Sequence, residues 1–132
     1  MKLVLHVDGG ARGNPGPAAI GVVVSTADGE PIDELAETIG KATNNVAEYR
    51  ALLRGLERAQ QLGASEVEII GDSELVARQL TGQYKVKHPA MKPLHAQARA
   101  QLDGFRSWHI RTVPRADNAR ADELVNAALD AA

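Results

Sequence analysis

The chain has 132 residues, is 44% hydrophobic, contains no cysteine, and carries 15 Lys/Arg against 17 Asp/Glu for a formal charge of −2. That length suits a single domain over 1–132 with one core, filled by aliphatic residues because only one Trp, two Tyr and one Phe are present. Disulfides and Cys-ligated metal centres are excluded, and the near-neutral balance lacks the basic excess usual in a general nucleic-acid-binding domain. Met1–Asp8 is too short an apolar run for a signal core, and nothing approaches the roughly 20 apolar residues of a membrane span. A cytoplasmic monomer with no membrane partner is therefore expected.

In chain order, Leu3-Val-Leu-His-Val-Asp8 reads as a strand buried on both faces. It ends in a Gly/Pro-rich loop, Gly9–Pro17. A second strand follows at about 18–26, then the turn signal Asp28-Gly29, then a third strand at about 32–39, which makes an antiparallel meander. Thr43-Asn44-Asn45 offers helix-capping residues. Val46, Tyr49, Leu52, Leu53, Leu56, Ala59 and Leu62 recur at helical spacing before Gly63. A short strand at 66–70, a short helix at 74–80, a basic connector at 83–89, a helix at 90–102, a strand at 106–113 and a helix at 118–131 complete the chain. A meander followed by helix-linked strands means an α/β domain with a five-stranded mixed sheet, its first three strands antiparallel, flanked by helices. The Ala-rich end is compatible with continuation into a further C-terminal domain in a longer parent protein.

Four carboxylates fall where this topology could gather them. Asp8 ends the first strand and Asp72 follows the fourth. A right-handed crossover through the 44–62 helix would make these strands parallel neighbours, with both acids at one sheet edge. Glu48 lies in the first turns of that helix, and Asp122 in the first turns of the last. On a helical wheel Asp122 sits beside Val125 and Leu129, whereas Glu123 points to solvent. Converging carboxylates raise one another's pKa and need counter-ions. Hard divalent cations with oxygen ligands supply them, Mg²⁺ by default, and a pair of ions about 4 Å apart suits phosphodiester cleavage. Singly, each acid reads as an ordinary turn, capping or surface residue.

The flanking motifs reverse that reading. Asp8-Gly-Gly-Ala-Arg-Gly-Asn-Pro-Gly-Pro17, Thr43-Asn-Asn-Val-Ala-Glu-Tyr49, Ile69-Ile-Gly-Asp-Ser73 and Asn118-Ala-Arg-Ala-Asp-Glu-Leu124 resemble, in order, the four motifs of ribonuclease H type 1. The resemblance covers about residues 2–129 and implies a ribonuclease H-like fold. It also implies an endonuclease that hydrolyses the RNA strand of RNA–DNA hybrids, with Asp8, Glu48, Asp72 and Asp122 as catalytic acids holding two Mg²⁺ or Mn²⁺ ions. Gly9, Gly10, Arg12, Gly13 and Asn14, with Asn44 and Asn45, would meet the minor groove and the RNA 2′-hydroxyls. Lys41 and Thr43 would hold a DNA-strand phosphate, and Arg115 and Asn118 complete the expected substrate contacts. Asn suits such a surface because it offers both a donor and an acceptor.

Two departures stand out. Many bacterial members carry a mobile His shortly before the fourth acid, whereas this stretch is Val113-Pro-Arg-Ala-Asp-Asn118, with Arg115 in the neighbourhood. The long basic protrusion of many members is reduced to Gln83–Pro89 and Lys92. The sequence thus resembles the short form, including domains fused to a phosphatase-like domain in certain bacterial bifunctional proteins. Lys85, Lys87 and Lys92 read equally as phosphate contacts or a solvated loop.

Overall fold

The computed structural model describes residues 1–132. The elements are β1 (Lys2–Ala11), β2 (Gly16–Thr26), β3 (Pro31–Ala42), α1 (Asn44–Gln61), β4 (Glu66–Gly71), α2 (Glu74–Leu80), α3 (Lys92–Leu102), β5 (Ser107–Thr112), a 3₁₀ turn (Arg115–Asn118) and α4 (Ala119–Ala131). They form a five-stranded sheet in the order β3-β2-β1-β4-β5. The first three strands are antiparallel, and β4 runs parallel to both β1 and β5. This is the mixed sheet expected from the pattern. The α1 crossover from β3 lays β4 beside β1, in parallel.

Strand alternation sends Leu3, Leu5 and Val7 of β1 and Ile20, Val22 and Val24 of β2 to one face, into a core of 20 buried residues shared with α1. Gly55 in the middle of α1 sits directly over Leu5, Val7 and Val22. The opposite face carries α4 on a much smaller apolar cluster, Ala19, Val125 and Leu129. There α4 rests against the sheet backbone itself: a Cβ on Gly21 of β2 would lie 2.3 Å from the carbonyl oxygen of Ala121. The two-sided burial expected for β1 is partial, because Val4 and His6 on the α4 side are only half-buried.

Local signals place the helix starts. Thr43 Oγ1 accepts from the Val46 N–H at 3.2 Å to open α1, and Ser73 Oγ accepts from the Val76 N–H at 3.3 Å to open α2. Several boundaries differ from the sequence reading, and β2 and β3 are longer than expected, β2 starting at Gly16 and β3 ending at Ala42. β1 continues through Gly9-Gly10-Ala11, placed in a loop by composition, because pairing with β2 persists to Ala11↔Ala18. α3 starts at Lys92, not at 90, with Pro93 in its first turn. The last helix begins as a 3₁₀ turn and breaks at Asn118 before α4 proper. No helix is long and apolar enough to cross a membrane.

Candidate active site

The parallel β1–β4 pair brings Asp8 and Asp72 to the same sheet end, and α1 enters over that end. Its close approach depends on Gly9. A Cβ there would lie 2.2 Å from the backbone carbon and oxygen of Ala47. The contact lets the Gly9 N–H donate to Glu48 Oε1 at 3.3 Å. One carboxylate oxygen from each of Asp8, Glu48 and Asp72 then lies within 4.8 Å of the others. Asp122 enters from α4 and lines the same open cleft of about 370 Å³, together with Gly9, Gly10, Arg12, Asn44 and Arg115. The inward aim of Asp122 over Glu123 holds: their side chains are 27% and 64% exposed.

The electrostatics show what this gathering lacks. Burial, then the negative charges of Asp8 and Asp72, pushes Glu48 up to about 9. Burial, then the charge of Asp72 with a further push from Asp122, raises Asp8 to about 7. Asp8 and Glu48 lie close enough that the titration of each depends on the other. Neither cleft arginine pairs with Asp8, Glu48 or Asp72. Arg12 Nη2 donates to Asp130 at 2.6 Å, and Arg115 Nη2 to Asp122 at 2.9 Å. Three hard oxygen donors with unmet negative charge fit a divalent cation held by Asp8, Glu48 and Asp72.

A pH dependence follows. Acids whose folded pKa is raised give stability that is present below their unfolded values, 3.8 and 4.5, and lost as pH rises through about 7 and about 9. Asp33, Glu34 and Glu68 are held low by Arg58, Arg120 and Arg111, and act with opposite sign on the acid side. In EDTA the melting temperature should therefore fall from about pH 5 to about 9, most steeply below about pH 7 where both acids contribute. Added Mg²⁺ or Mn²⁺ should flatten that fall. An unchanged alkaline slope with metal would contradict cation binding at these acids.

The comparisons with known proteins agree with this geometry. The family model described as reverse transcriptase-like matches residues 6–128. A bifunctional protein of Mycobacterium tuberculosis is 52% identical over 133 residues, covering 100% of this chain and 36% of that protein. The crystal structure of a ribonuclease H1 from the archaeon Halobacterium salinarum superposes with a TM-score of 0.98 at 48% identity, covering 100% of both chains. The chain belongs to the ribonuclease H family, type 1. A further ribonuclease H1, LC11, was solved in complex with an RNA/DNA hybrid; it is 47% identical with a TM-score of 0.92, over 97% of this chain and 96% of that one. The chain spans only about a third of the mycobacterial protein's length.

The substrate contacts expected from the sequence divide into three groups. The first surrounds the cleft. Asn14 Oδ1 accepts from the Asn44 N–H at 3.0 Å, and Asn44 Oδ1 accepts from the Ala11 N–H at 2.9 Å, so both side chains bind the β1–β2 loop to α1. Gly10, Arg12, Asn44 and Arg115 line the cleft itself, and Gly13 and Asn45 are exposed near it. The second group stands apart. Lys41 is exposed at the end of β3 opposite Pro17, and borders a separate groove with Arg12 and Thr38, whereas Thr43 caps α1. The third is Asn118, and here the expectation fails. Asn118 is 2% exposed and donates through Nδ2 to the Val7 carbonyl at 2.8 Å, so it cannot touch a substrate. The break between the 3₁₀ turn and α4 turns it inward. Asn126 was missed: it lines the cleft one helical turn beyond Asp122 and donates to the Asp122 carbonyl at 3.1 Å. The i, i+4 spacing from Asp122 was the available signal. Lys85, Lys87 and Lys92 are all exposed.

Proposed function

We propose that the chain is an endonuclease that hydrolyses the RNA strand of RNA–DNA hybrids, with Asp8, Glu48, Asp72 and Asp122 holding two divalent cations, Mg²⁺ or Mn²⁺. The observation that carries this reading is the convergence of three carboxylates within 4.8 Å, with the fourth in the same cleft. Bound there, the cations would supply Lewis-acid stabilisation of the phosphodiester and a more acidic water. The cleft lining contains no Ser, Thr, Cys, His or Lys. No hydroxyl, thiol or amine is placed for covalent attack, so water is the nucleophile, and no imidazole is placed to carry its proton. Arg115, donating to Asp122, holds the fourth carboxylate where many relatives have a His nearby.

The asparagines support a hybrid substrate. The Oδ1 atoms of Asn14 and Asn44 are both committed to backbone N–H groups, which leaves their amide NH₂ groups as the free donors. Donors suit 2′-hydroxyl oxygens and the acceptor-rich minor-groove edges of bases. The LC11 relative solved with an RNA/DNA hybrid points the same way. The test is cleavage of a labelled hybrid, a matched RNA duplex and a matched DNA duplex, each with Mg²⁺, Mn²⁺ or EDTA. Scission of the hybrid's RNA strand alone, lost in EDTA, is expected. Equal cutting of either homoduplex would make it a different nuclease on this fold. No cutting with any metal would make it a binding module.

A further inference from the structure

Asn118 is the one expected substrate side chain that the fold removes from the surface, and its contact lies at a telling point. The β1–β4 pairing ends at His6↔Ile70. One residue further, Asn118 Nδ2 reaches the Val7 carbonyl at 2.8 Å, across 111 residues of chain. That carbonyl belongs to the peptide plane joining Val7 to Asp8, so a bond to it fixes the backbone from which the Asp8 carboxylate projects. Asn118 also stands four residues before Asp122, one helical turn away at the start of α4. The two acids repel each other, and the apolar cluster beneath α4 is small, Ala19, Val125 and Leu129. Arg120 ties this end of the helix to Glu34 of β3, and the Asn118 bond is what ties it to β1 itself.

We propose that Asn118 is a positioning residue: its bond to the Val7 carbonyl clamps the start of α4, and with it Asp122, to the strand end that carries Asp8. The proposal rests on the reading of the four acids as one metal-holding site. Plain stabilisation is a poor account of this side chain. Its Oδ1 is buried with no partner, and a buried amide left half unsatisfied is a worse filler than an apolar group of equal size. The clamp instead sets the gap between two acids on different elements, as groups behind metal ligands do.

The test is a double-substitution cycle read by calorimetric Mn²⁺ titration without substrate. Asn118→Ala should weaken Mn²⁺ binding about tenfold or more, and lower kcat with KM unchanged. In an Asp122→Asn background the same substitution should change Mn²⁺ affinity by less than about twofold, because the gap no longer matters. Asn118→Leu keeps the branching and the number of side-chain heavy atoms but lacks the donor, and should give the same losses in the Mn²⁺ cycle. This second variant covers the case in which Ala disturbs the fold. Equal losses in both backgrounds would overturn the proposal in favour of general stabilisation. A raised KM at unchanged kcat would overturn it in favour of a substrate contact. Failure of the wild type to cut hybrids would sink the proposed activity, while the substrate-free cycle would still decide the role of Asn118.

Discussion

Asp8→Asn is expected to abolish metal-dependent cleavage, by roughly 10³-fold or more, while making the metal-free protein more stable at pH 7. The two effects have one cause. Asp8 is 5% exposed and faces Glu48, Asp72 and Asp122, so its negative charge is both what a cation would bind and what the empty fold pays to bury. Because burial and Asp72 raise Asp8 to about 7, part of the population at neutral pH carries an uncompensated charge. The amide removes that charge at nearly constant shape. Above the unfolded pKa of 3.8 the wild type loses stability with rising pH, and the variant lacks that share of the loss. The gain at pH 7 in EDTA should be about 1–2 kcal/mol, a melting-temperature rise of roughly 3–8 °C. Adding Mg²⁺ should raise the melting temperature of the wild type much more than that of the variant. A pure variant preparation that still cuts with metal would remove Asp8 from the site. A variant less stable than wild type in EDTA would mean that the buried carboxylate is compensated after all.

The parts of the site that could be read in the sequence are those fixed by periodicity and topology. Asp8 and Asp72 follow apolar strands, and the α1 crossover from β3 carries the chain past the meander to lay β4 in parallel beside β1. Glu48 follows a capping Thr. Asp122 separates from Glu123 by its place on a helical wheel, and the side chains divide as that wheel requires, 27% against 64% exposed. Asn118 was expected at the substrate from the resemblance alone, and the fold places it otherwise. As the first residue of a regular helix it would face the cleft, but the 3₁₀ turn from Arg115 to Asn118 rotates it onto β1, and no pattern of residue types announces a 3₁₀ turn at that point. The pairs that tie α4 down were equally hidden. Arg120 grips both oxygens of Glu34 at 2.7 and 2.8 Å across 86 residues, and Arg12 meets Asp130 across 118. Exposed charges of this kind look alike in a sequence, and only the packing of a helix on a sheet decides which of them meet. The run of β1 through two glycines belongs to the same class, since the ladder with β2 outweighs local propensity.

Gly9→Ala should be the most damaging single-methyl change in this half of the molecule. The added Cβ would lie 2.2 Å from the backbone carbon and oxygen of Ala47 and 2.6 Å from the Glu48 nitrogen. These are main-chain atoms of a helix, with no flexible side chain to yield, so relief requires the start of α1 to lift from β1 by about 1 Å or more. That motion withdraws Glu48 from the Gly9 N–H and from Asp8, and loosens the packing of Tyr49 and Leu52 below it. A loss of about 3 kcal/mol or more is expected, at the upper end for overpacking because backbone gives way less readily than side chains. Displacing one carboxylate by such a distance should cost about 10²-fold in cleavage even in the fraction that stays folded. Gly10→Ala is the stability control, because its Cβ would meet only Val125 Cγ1 at 3.6 Å, an ordinary contact on the α4 side. Denaturant unfolding of the two variants should separate them by about 2 kcal/mol or more. If both unfold at the same denaturant concentration, the intimate seating of α1 on β1 is not what brings Glu48 to the other acids. A large loss at Gly9 alone would tie the geometry of the carboxylate cluster to the absence of one methyl group between a strand and a helix.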